Sequence, residues 1–294
     1  MIFLFAGGHR MGSTFQALTF RHALRQLKVD IRTTDNPALD IFHLQKIRSS
    51  FAEADRHPEA YYFGKAHAAF PSQVDAVLSA RHLRVFLIWR DQQDALVSDF
   101  HFSRRRAGHV YRDFNDYFER RGRKILLRNC LQKTVWDGID DPRVKAWDYL
   151  DLADDFGKTA GEMLEFAGLN GVNLKALERS VSIGQLRKRY RDDKGTFFRQ
   201  GGKQDLQALS PNAQTMSQID SIVAETDWQK LADAFEREDW MRIAVCGRES
   251  QDAGLRKGFH WWLFKTQNAQ YLRQNVLPTI YKLSPRRLLR GAEK

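Results

Sequence analysis

The chain has 294 residues, 43% hydrophobic and 12% aromatic, so it can bury a large core and is not intrinsically disordered. Its formal net charge of +11 favours polyanionic partners: nucleic acid, an anionic membrane face or a phosphate-rich small molecule. Its two cysteines, Cys130 and Cys246, are too few for a disulfide framework and lack metal-ligand spacing, which predicts a reducing compartment.

The apolar run at residues 2–6 has no basic segment before it and ends at glycines, unlike a signal peptide or an anchor. No stretch of the sequence approaches the roughly twenty apolar residues that a membrane span requires. These features predict a cytoplasmic protein.

Strands and helices alternate along the first two thirds of the sequence. A buried strand at 2–6 is followed by a glycine turn and a helix, and a second strand at 84–89 also leads into helical periodicity. A third strand at 144–147 precedes an amphipathic helix over 152–166. This alternation predicts an α/β fold with a mostly parallel central sheet flanked by helices.

Later parts of the chain have a different character. Residues 181–210 are dense in glycine and charge, which predicts a long loop, either ordered or ordered by a ligand. From Gln251 onward, nine Lys and Arg residues face two acidic residues, so the tail holds most of the charge excess.

The first candidate site is the turn after the first strand. Gly7 and Gly12 lie where a Walker loop places its glycines, but Ser13 takes the position of the phosphate-binding lysine. What remains is a strand-to-helix turn whose amides attract a phosphate, with Arg10 as the cation and the Ser13 and Thr14 hydroxyls as donors. An ordinary glycine turn capped by Ser13 or Thr14 is the alternative.

The second candidate site follows the strand at 84–89. Arg90 emerges at the strand's carboxyl end, where α/β sheets bind ligands, and Ser98 lies two helical turns further on. A planar guanidinium meets two phosphate oxygens at once, so Arg90 suits a phosphate. The alternative, an Arg90–Asp94 pair that caps the helix, leaves Ser98 unexplained.

Between these sites, Lys65 and His67 have the two-residue spacing that places side chains on one face of a strand. Transfer of a charged group to a hydroxyl needs a base for the acceptor proton and a cation for the leaving group. His67 suits the first task and Lys65 the second. A structural histidine is the alternative.

These segments resemble the sulfotransferase family, whose donor is 3′-phosphoadenosine 5′-phosphosulfate (PAPS). Residues 9–15 are similar to its 5′-phosphosulfate loop, P-[RK]-S-G-T-T-W, although His9 and Met11 replace the usual proline and serine. The R-D-x-x-D-x-x-x-S pattern from Arg90 to Ser98 resembles its 3′-phosphate motif. The resemblance implies a P-loop-like sulfotransferase fold, PAPS as donor, its desulfated product PAP (adenosine 3′,5′-bisphosphate), and no metal.

The resemblance also assigns individual residues. It implies His67 as the catalytic base and Lys65 and Arg10 as catalytic cations, with Asp35, Asp40 and Glu53 open as alternative bases. The residues implied to bind the donor are Gly8, His9, Arg10, Met11, Gly12, Ser13, Thr14, Phe15, Arg90, Ser98, Trp147, Ser182, Arg199, Gln200 and Gly201. Trp147 takes the place of a tyrosine beside adenine, with core packing equally open. Gln200 replaces the usual lysine of the F-R-K-G loop.

The resemblance covers residues 1–235, which we predict to be the catalytic domain, with 236–294 as a basic, aromatic-rich helical extension. Packing of this extension on the domain or on a second subunit is the main expectation, and contact with an anionic membrane is the alternative. The acceptor hydroxyl belongs to a carbohydrate, a lipid-linked sugar or a small alcohol or phenol. Variable loops at 30–60 and 100–130 are expected to surround it.

Two other functions are left open by the residues alone. A P-loop small-molecule kinase is disfavoured by the missing Walker lysine. A non-catalytic protein that binds nucleic acid or an anionic surface is compatible with the charge, and its binding would depend steeply on salt. The sequence predicts no specific nucleic-acid partner.

Overall fold

The structure is a computed structural model that describes residues 1–33, 51–52, 54–57, 59–66, 71–106, 111–190 and 205–249. Contacts divide the chain into two units, Met1–Asp239 and Trp240–Lys294. The first unit holds the sheet. Of the second, the described part is helical and ends at Glu249. The domain boundary at 235 stays a prediction.

The centre of the first unit is a five-stranded sheet. Its strands are β1 (Ile2–Ala6), β2 (Ile31–Thr33), β3 (Tyr61–Ala66), β4 (Leu83–Trp89) and β5 (Val144–Asp148). Their order is β2-β3-β1-β4-β5, and every pairing is parallel. The prediction of an α/β fold with a parallel sheet is therefore confirmed. Because all strands point the same way, the turns that follow them meet at one edge of the sheet.

Helices connect the strands and extend the chain beyond them. They are α1 (Ser13–Gln26), α2 (Pro71–Leu78), α3 (Gln92–Arg106), α4 (Phe114–Tyr117), α5 (Arg123–Asp137), α6 (Tyr149–Asp154), α7 (Phe156–Phe166), α8 (Leu174–Val181), α9 (Ile183–Tyr190), α10 (Ala213–Ala224) and α11 (Trp228–Glu249). A π-helical turn, Phe118–Gly122, joins α4 to α5. Among the described residues, none of these helices is long and apolar enough to cross a membrane.

Hydrophobic cores lie on both faces of the sheet because successive strand residues point in opposite directions. Leu4 of β1 belongs to the core that also includes residues of α3 and α5. Phe3 and Phe5 belong to the opposite core, formed with α1, α7 and α8. Both faces are apolar, so β1 is a continuous hydrophobic run, and β4 is one apart from Arg84 near its start.

Three local predictions differ from the structure. The helix expected over 152–166 is two helices, because Asp155 accepts a hydrogen bond from the Lys158 amide and caps a new start. The loop expected from 181 is wrong for α9, which buries Leu186 completely. The acceptor loop expected at 100–130 is largely helical in its described part.

His22 in α1 joins α1 to α8 and α9. Its Nδ1 lies 3.0 Å from the Ser180 hydroxyl oxygen, and Arg189 donates a hydrogen bond to Nε2. Ser180 already donates to the Leu177 carbonyl, so its oxygen accepts from Nδ1–H. Burial, followed by the charge of Arg189 and two further arginines of α1, lowers the pKa of His22 to about 4.

Acid is therefore expected to destabilise the fold through His22. The unfolded chain binds this proton near the ordinary histidine pKa of about 6.5, whereas the folded chain binds it only near 4, so unfolding free energy falls between those values. His22→Gln, which does not titrate, should flatten this dependence in urea unfolding. His82→Gln, at an exposed position, is the matched control. Parallel pH profiles for wild type and His22→Gln would contradict the prediction.

Candidate active site

The turn between β1 and α1 forms an anion loop, residues 7–12, at the carboxyl edge of the sheet. Gly7, Arg10 and Gly12 adopt φ of 151°, 62° and 107°. A Cβ on Gly12 would lie 2.4 Å from Cδ2 of Tyr149, so this position tolerates only glycine without movement of the ring. The loop thus leads its backbone amides into the N-terminus of α1, the arrangement that favours an anion.

Two cations lie at this loop, one within it and one on β3. Arg10 Nε donates to Ser98 Oγ at 3.3 Å, and its guanidinium lies 4.3 Å from the centre of the Phe102 ring. Lys65, near the end of β3, donates to Thr14 Oγ1. Burial and then the charge of Arg10 lower the pKa of Lys65 to about 8. The fold therefore holds two positive charges close enough to repel each other, a cost that a bound anion relieves.

Arg90 follows β4 at the same edge. Its side chain is buried, its Cζ lies 4.8 Å from the centre of the Tyr149 ring, and its Nε is 3.6 Å from Asp94 Oδ2. The Arg90–Asp94 pair is thus present, and Asp91 caps the helix by accepting from the Asp94 amide at 2.9 Å. Ser98 is nonetheless buried beside Arg10, so the capping alternative does not account for the whole motif.

The two candidate anion sites adjoin each other. Ser98, from the motif that follows β4, accepts a hydrogen bond from Arg10 in the anion loop. Tyr149, at the start of α6, lies beside both Gly12 and Arg90. A ligand with anionic groups at two ends can therefore contact both sites.

A buried network supports the helix that carries Ser98. Asp99 accepts from Arg121 Nε at 2.7 Å, from the Tyr117 hydroxyl at 3.0 Å and from the Ser103 hydroxyl at 3.2 Å. Burial acts to raise the pKa of Asp99, but the hydrogen bonds and charge of Arg121 outweigh it and hold the pKa below its ordinary value. The ionised carboxylate thus ties α3 to the α4–α5 segment.

The other predicted residues lie in the core, at the end of α8 or outside the described part of the chain. Trp147 is buried in the core, its ring stacked on Phe86 at 5.9 Å. Ser182 lies at the end of α8 and donates to the Arg179 carbonyl at 3.1 Å. Outside the described residues are His67, Arg199, Gln200 and Gly201, together with the alternative bases Asp35, Asp40 and Glu53.

Sequence reasoning missed two residues of this site, Tyr149 and Asn129. Tyr149 follows β5 directly, so its place at a strand's carboxyl end was a usable signal. Asn129 in α5 hydrogen-bonds the backbone of His9, 120 residues away, and no local pattern indicates such a contact. Within the described ranges, no group of three or more His, Cys, Asp or Glu side chains could hold a metal ion.

A parallel sheet with two adjoining candidate anion sites at its carboxyl edge has the arrangement with which α/β proteins bind nucleotides. A family model described as the sulfotransferase domain matches residues 9–220. This match spans most of the chain, which therefore belongs to the sulfotransferase family. The protein is accordingly an enzyme that transfers a sulfuryl group, with PAPS as its donor.

Two solved structures are similar to this chain at low sequence identity, and the first of them shares its fold. Mouse sulfotransferase SULT7A1, crystallised with PAP, superposes with a TM-score of 0.57 at 16% identity, covering 80% of this chain and 88% of the mouse chain. A sulfotransferase from Alicyclobacillus acidocaldarius gives a TM-score of 0.42 at 14% identity, covering 77% of this chain and 98% of its own. Curated protein sequences give no match.

Proposed function

We propose that the two anion sites hold opposite ends of one PAPS molecule. The observation that carries this proposal is the hydrogen bond from Arg10 to Ser98, which joins the loop after β1 to the motif after β4. The 5′ end would lie at the anion loop and the 3′-phosphate at Arg90 and Ser98. The buried guanidinium of Arg90 offers two parallel donors to a phosphate, which a lysine cannot.

At the 5′ end, the residues supply donors and positive charge. The predicted loop residues here are Gly8, His9, Arg10, Met11, Gly12, Ser13, Thr14 and Phe15. Bound PAPS supplies the sulfuryl group and a phosphate leaving group. Arg10 and Lys65 would neutralise the charge that develops on that phosphate, and Thr14 already holds the Lys65 ammonium in place.

Proton removal from the acceptor is assigned to His67 through the family's K-x-H pattern. Lys65 belongs to β3, which ends at Ala66, immediately before His67 in the sequence. Histidine is the commonest general base because its pKa lies near neutral pH. Asp35, Asp40 and Glu53 remain the alternative bases.

On the nucleoside side, Trp147, Ser182, Arg199, Gln200 and Gly201 keep their proposed donor contacts. The indole Nε1 of Trp147 is buried and has no hydrogen-bond partner among the described residues. Tyr149 adds an aromatic ring beside both Gly12 and Arg90, so it is a candidate for stacking on the adenine, whereas the ring of Trp147 is stacked on Phe86 in the core.

The acceptor is proposed to be a hydroxyl of a carbohydrate, a lipid-linked sugar or a small alcohol or phenol. A screen with radiolabelled PAPS against pools of each class tests this, and label transfer to none of them would overturn it.

Thermal-shift titration tests donor selectivity in the same preparation. PAP should stabilise the protein at far lower concentration than ATP, and equal stabilisation by both would contradict the proposed 3′-phosphate site.

Three further proposals concern the whole protein. We propose that it resides in the cytoplasm, on the cysteine usage of the sequence. The extension over 236–294 is proposed to pack on the catalytic domain or on a second subunit as a homodimer. Peripheral contact with anionic membrane through this basic, aromatic segment is the alternative proposal.

Donor affinity should fall as pH rises through the pKa of Lys65, about 8, because lysine is cationic only below its pKa. PAP is fully ionised above about pH 7, since its second phosphate pKa values lie near 6. PAP binding measured at pH 8 should therefore take up protons, as seen by calorimetry in buffers of different ionisation enthalpy.

Lys65→Arg is the control for this titration, because arginine stays charged throughout that range. Its PAP affinity should be independent of pH where the wild type weakens. A wild-type affinity that stays constant as the solution becomes alkaline would contradict the role of Lys65, as would an equal pH slope in Lys65→Arg.

A further inference from the structure

Asn129, in α5, is hydrogen-bonded to the backbone of the anion loop. Its side chain is completely buried, and it makes two hydrogen bonds to a single loop residue. The His9 amide donates to Asn129 Oδ1 at 2.7 Å, and Asn129 Nδ2 donates to the His9 carbonyl at 3.1 Å. Both functional groups of the carboxamide are therefore used on His9.

The loop backbone at Gly8 also packs closely against the Asn129 side chain. A Cβ on Gly8 would lie 2.4 Å from Asn129 Oδ1, so the loop approaches the carboxamide as nearly as a glycine allows. Arg128, the neighbour of Asn129 in α5, places Nη1 3.0 Å from Nε2 of His9. Backbone and side chain of His9 are thus both held by α5.

The hydrogen bonds between Asn129 and His9 determine the backbone geometry that leads into Arg10. The His9 amide belongs to the peptide that precedes residue 9, and its carbonyl belongs to the peptide shared with Arg10, so Asn129 fixes both peptide planes. Arg10 follows with φ of 62°, a left-handed conformation that is unfavourable for a non-glycine residue. Such a conformation persists where its surroundings hold it. In this conformation, Arg10 reaches Ser98.

We infer that Asn129 is a positioning residue for the donor site. Asn129 holds Arg10 and the loop amides in their anion-binding arrangement without touching the donor itself. Complete burial keeps its side chain from a ligand, so its effect on binding passes through the loop. This inference rests on the proposed function, because the arrangement it maintains is the proposed 5′ end of the PAPS site.

The test is a double-mutant cycle on PAP affinity with Asn129→Ala, Arg10→Ala and both together. Asn129→Ala alone should weaken PAP binding by about 10-fold or more, the loss expected when hydrogen bonds that hold a charged group are removed. In the Arg10→Ala background the same change should cost less than about 3-fold, because residues that act as a unit are not additive. Additive losses, or wild-type affinity in Asn129→Ala, would overturn the inference.

Two matched variants separate positioning from general destabilisation. Cys130→Ala removes a buried side chain one residue along α5 and should lower unfolding free energy while leaving PAP affinity unchanged. Asn129→Asp keeps the volume but cannot donate to the His9 carbonyl, so it should bind PAP as poorly as Asn129→Ala. Wild-type PAP affinity in Asn129→Asp, or a loss in Cys130→Ala that equals the loss in Asn129→Ala, would show that only packing matters.

Hydrogen exchange of the ligand-free protein gives a readout independent of PAP. Amides of residues 7–12 should exchange faster in Asn129→Ala than in wild type, while the amides of β4 do not change. Unchanged loop exchange would overturn the inference even if PAP bound as proposed. If the wild type failed to bind PAP, the proposed function would fall, and the exchange result would still decide whether Asn129 orders the loop.

Discussion

Arg90→Ala should weaken PAP binding by about 100-fold, because hydrogen bonds to a charged partner contribute about 1.5–3 kcal/mol each when removed. Arg90 is buried at the carboxyl end of β4 with its guanidinium beside Tyr149, so the bond to a 3′-phosphate would form where water competes weakly. Isothermal titration measures the change directly. Arg90→Lys keeps the charge but loses the planar fork, so its PAP affinity should lie between those of the wild type and Arg90→Ala.

Arg84→Ala is the control for this loss of charge. Arg84 lies on the same strand, with its guanidinium 5.7 Å from the centre of the Phe166 ring, away from the carboxyl edge. Its removal should leave PAP affinity within about 2-fold of wild type, as expected for a distant charge in salt. Equal losses in the two alanine variants would show that general basicity, rather than a specific 3′-phosphate contact, attracts the ligand.

Lys65→Met should lower the turnover number by about 100- to 1000-fold, the usual effect of removing one group that stabilises developing charge. Its ammonium is held by Thr14 at the anion loop, so it is placed to meet the charge that appears on the leaving phosphate. The Michaelis constant for PAPS should change much less than turnover, because Arg10 and Arg90 remain.

The turnover measurement uses the acceptor found with radiolabelled donor. Lys158→Met, at an exposed position of α7, is the matched control and should retain wild-type turnover. A turnover number for Lys65→Met within about 10-fold of wild type would contradict the role assigned to Lys65. An increase in the Michaelis constant alone would limit the role of Lys65 to donor binding.

The features that the sequence predicted are those encoded locally. β1 is a short apolar run followed by a glycine turn, and β4 is a short apolar run followed by Arg90. In both cases the strand and the residues that follow it lie within a few positions of each other. Parallel strands then bring both turns to one edge, so the adjacency of the two anion sites follows from topology. For that reason Arg10 and Ser98 could be predicted to share a site although they are 88 residues apart.

The features that the sequence did not predict depend on tertiary packing. Trp147 and Tyr149 are two residues apart, yet Trp147 enters the core and Tyr149 reaches the site. The reason is that β5 ends at Asp148, whose carboxylate caps α6 by accepting from the Leu150 amide at 2.6 Å. The sequence predicts a loop at α9 because the glycine and charges of this segment hide the buried Leu186.

The central claim is that two anion sites bind different ends of one nucleotide. The most direct test titrates wild type, Arg10→Ala and Arg90→Ala with PAP, with adenosine 5′-phosphate and with adenosine 3′-phosphate. Arg90→Ala should weaken PAP and the 3′-phosphate but leave the 5′-phosphate unaffected, and Arg10→Ala should weaken PAP and the 5′-phosphate but leave the 3′-phosphate unaffected. If each variant instead weakened all three nucleotides equally, the two sites would not distinguish the ends of the donor and the account would be wrong.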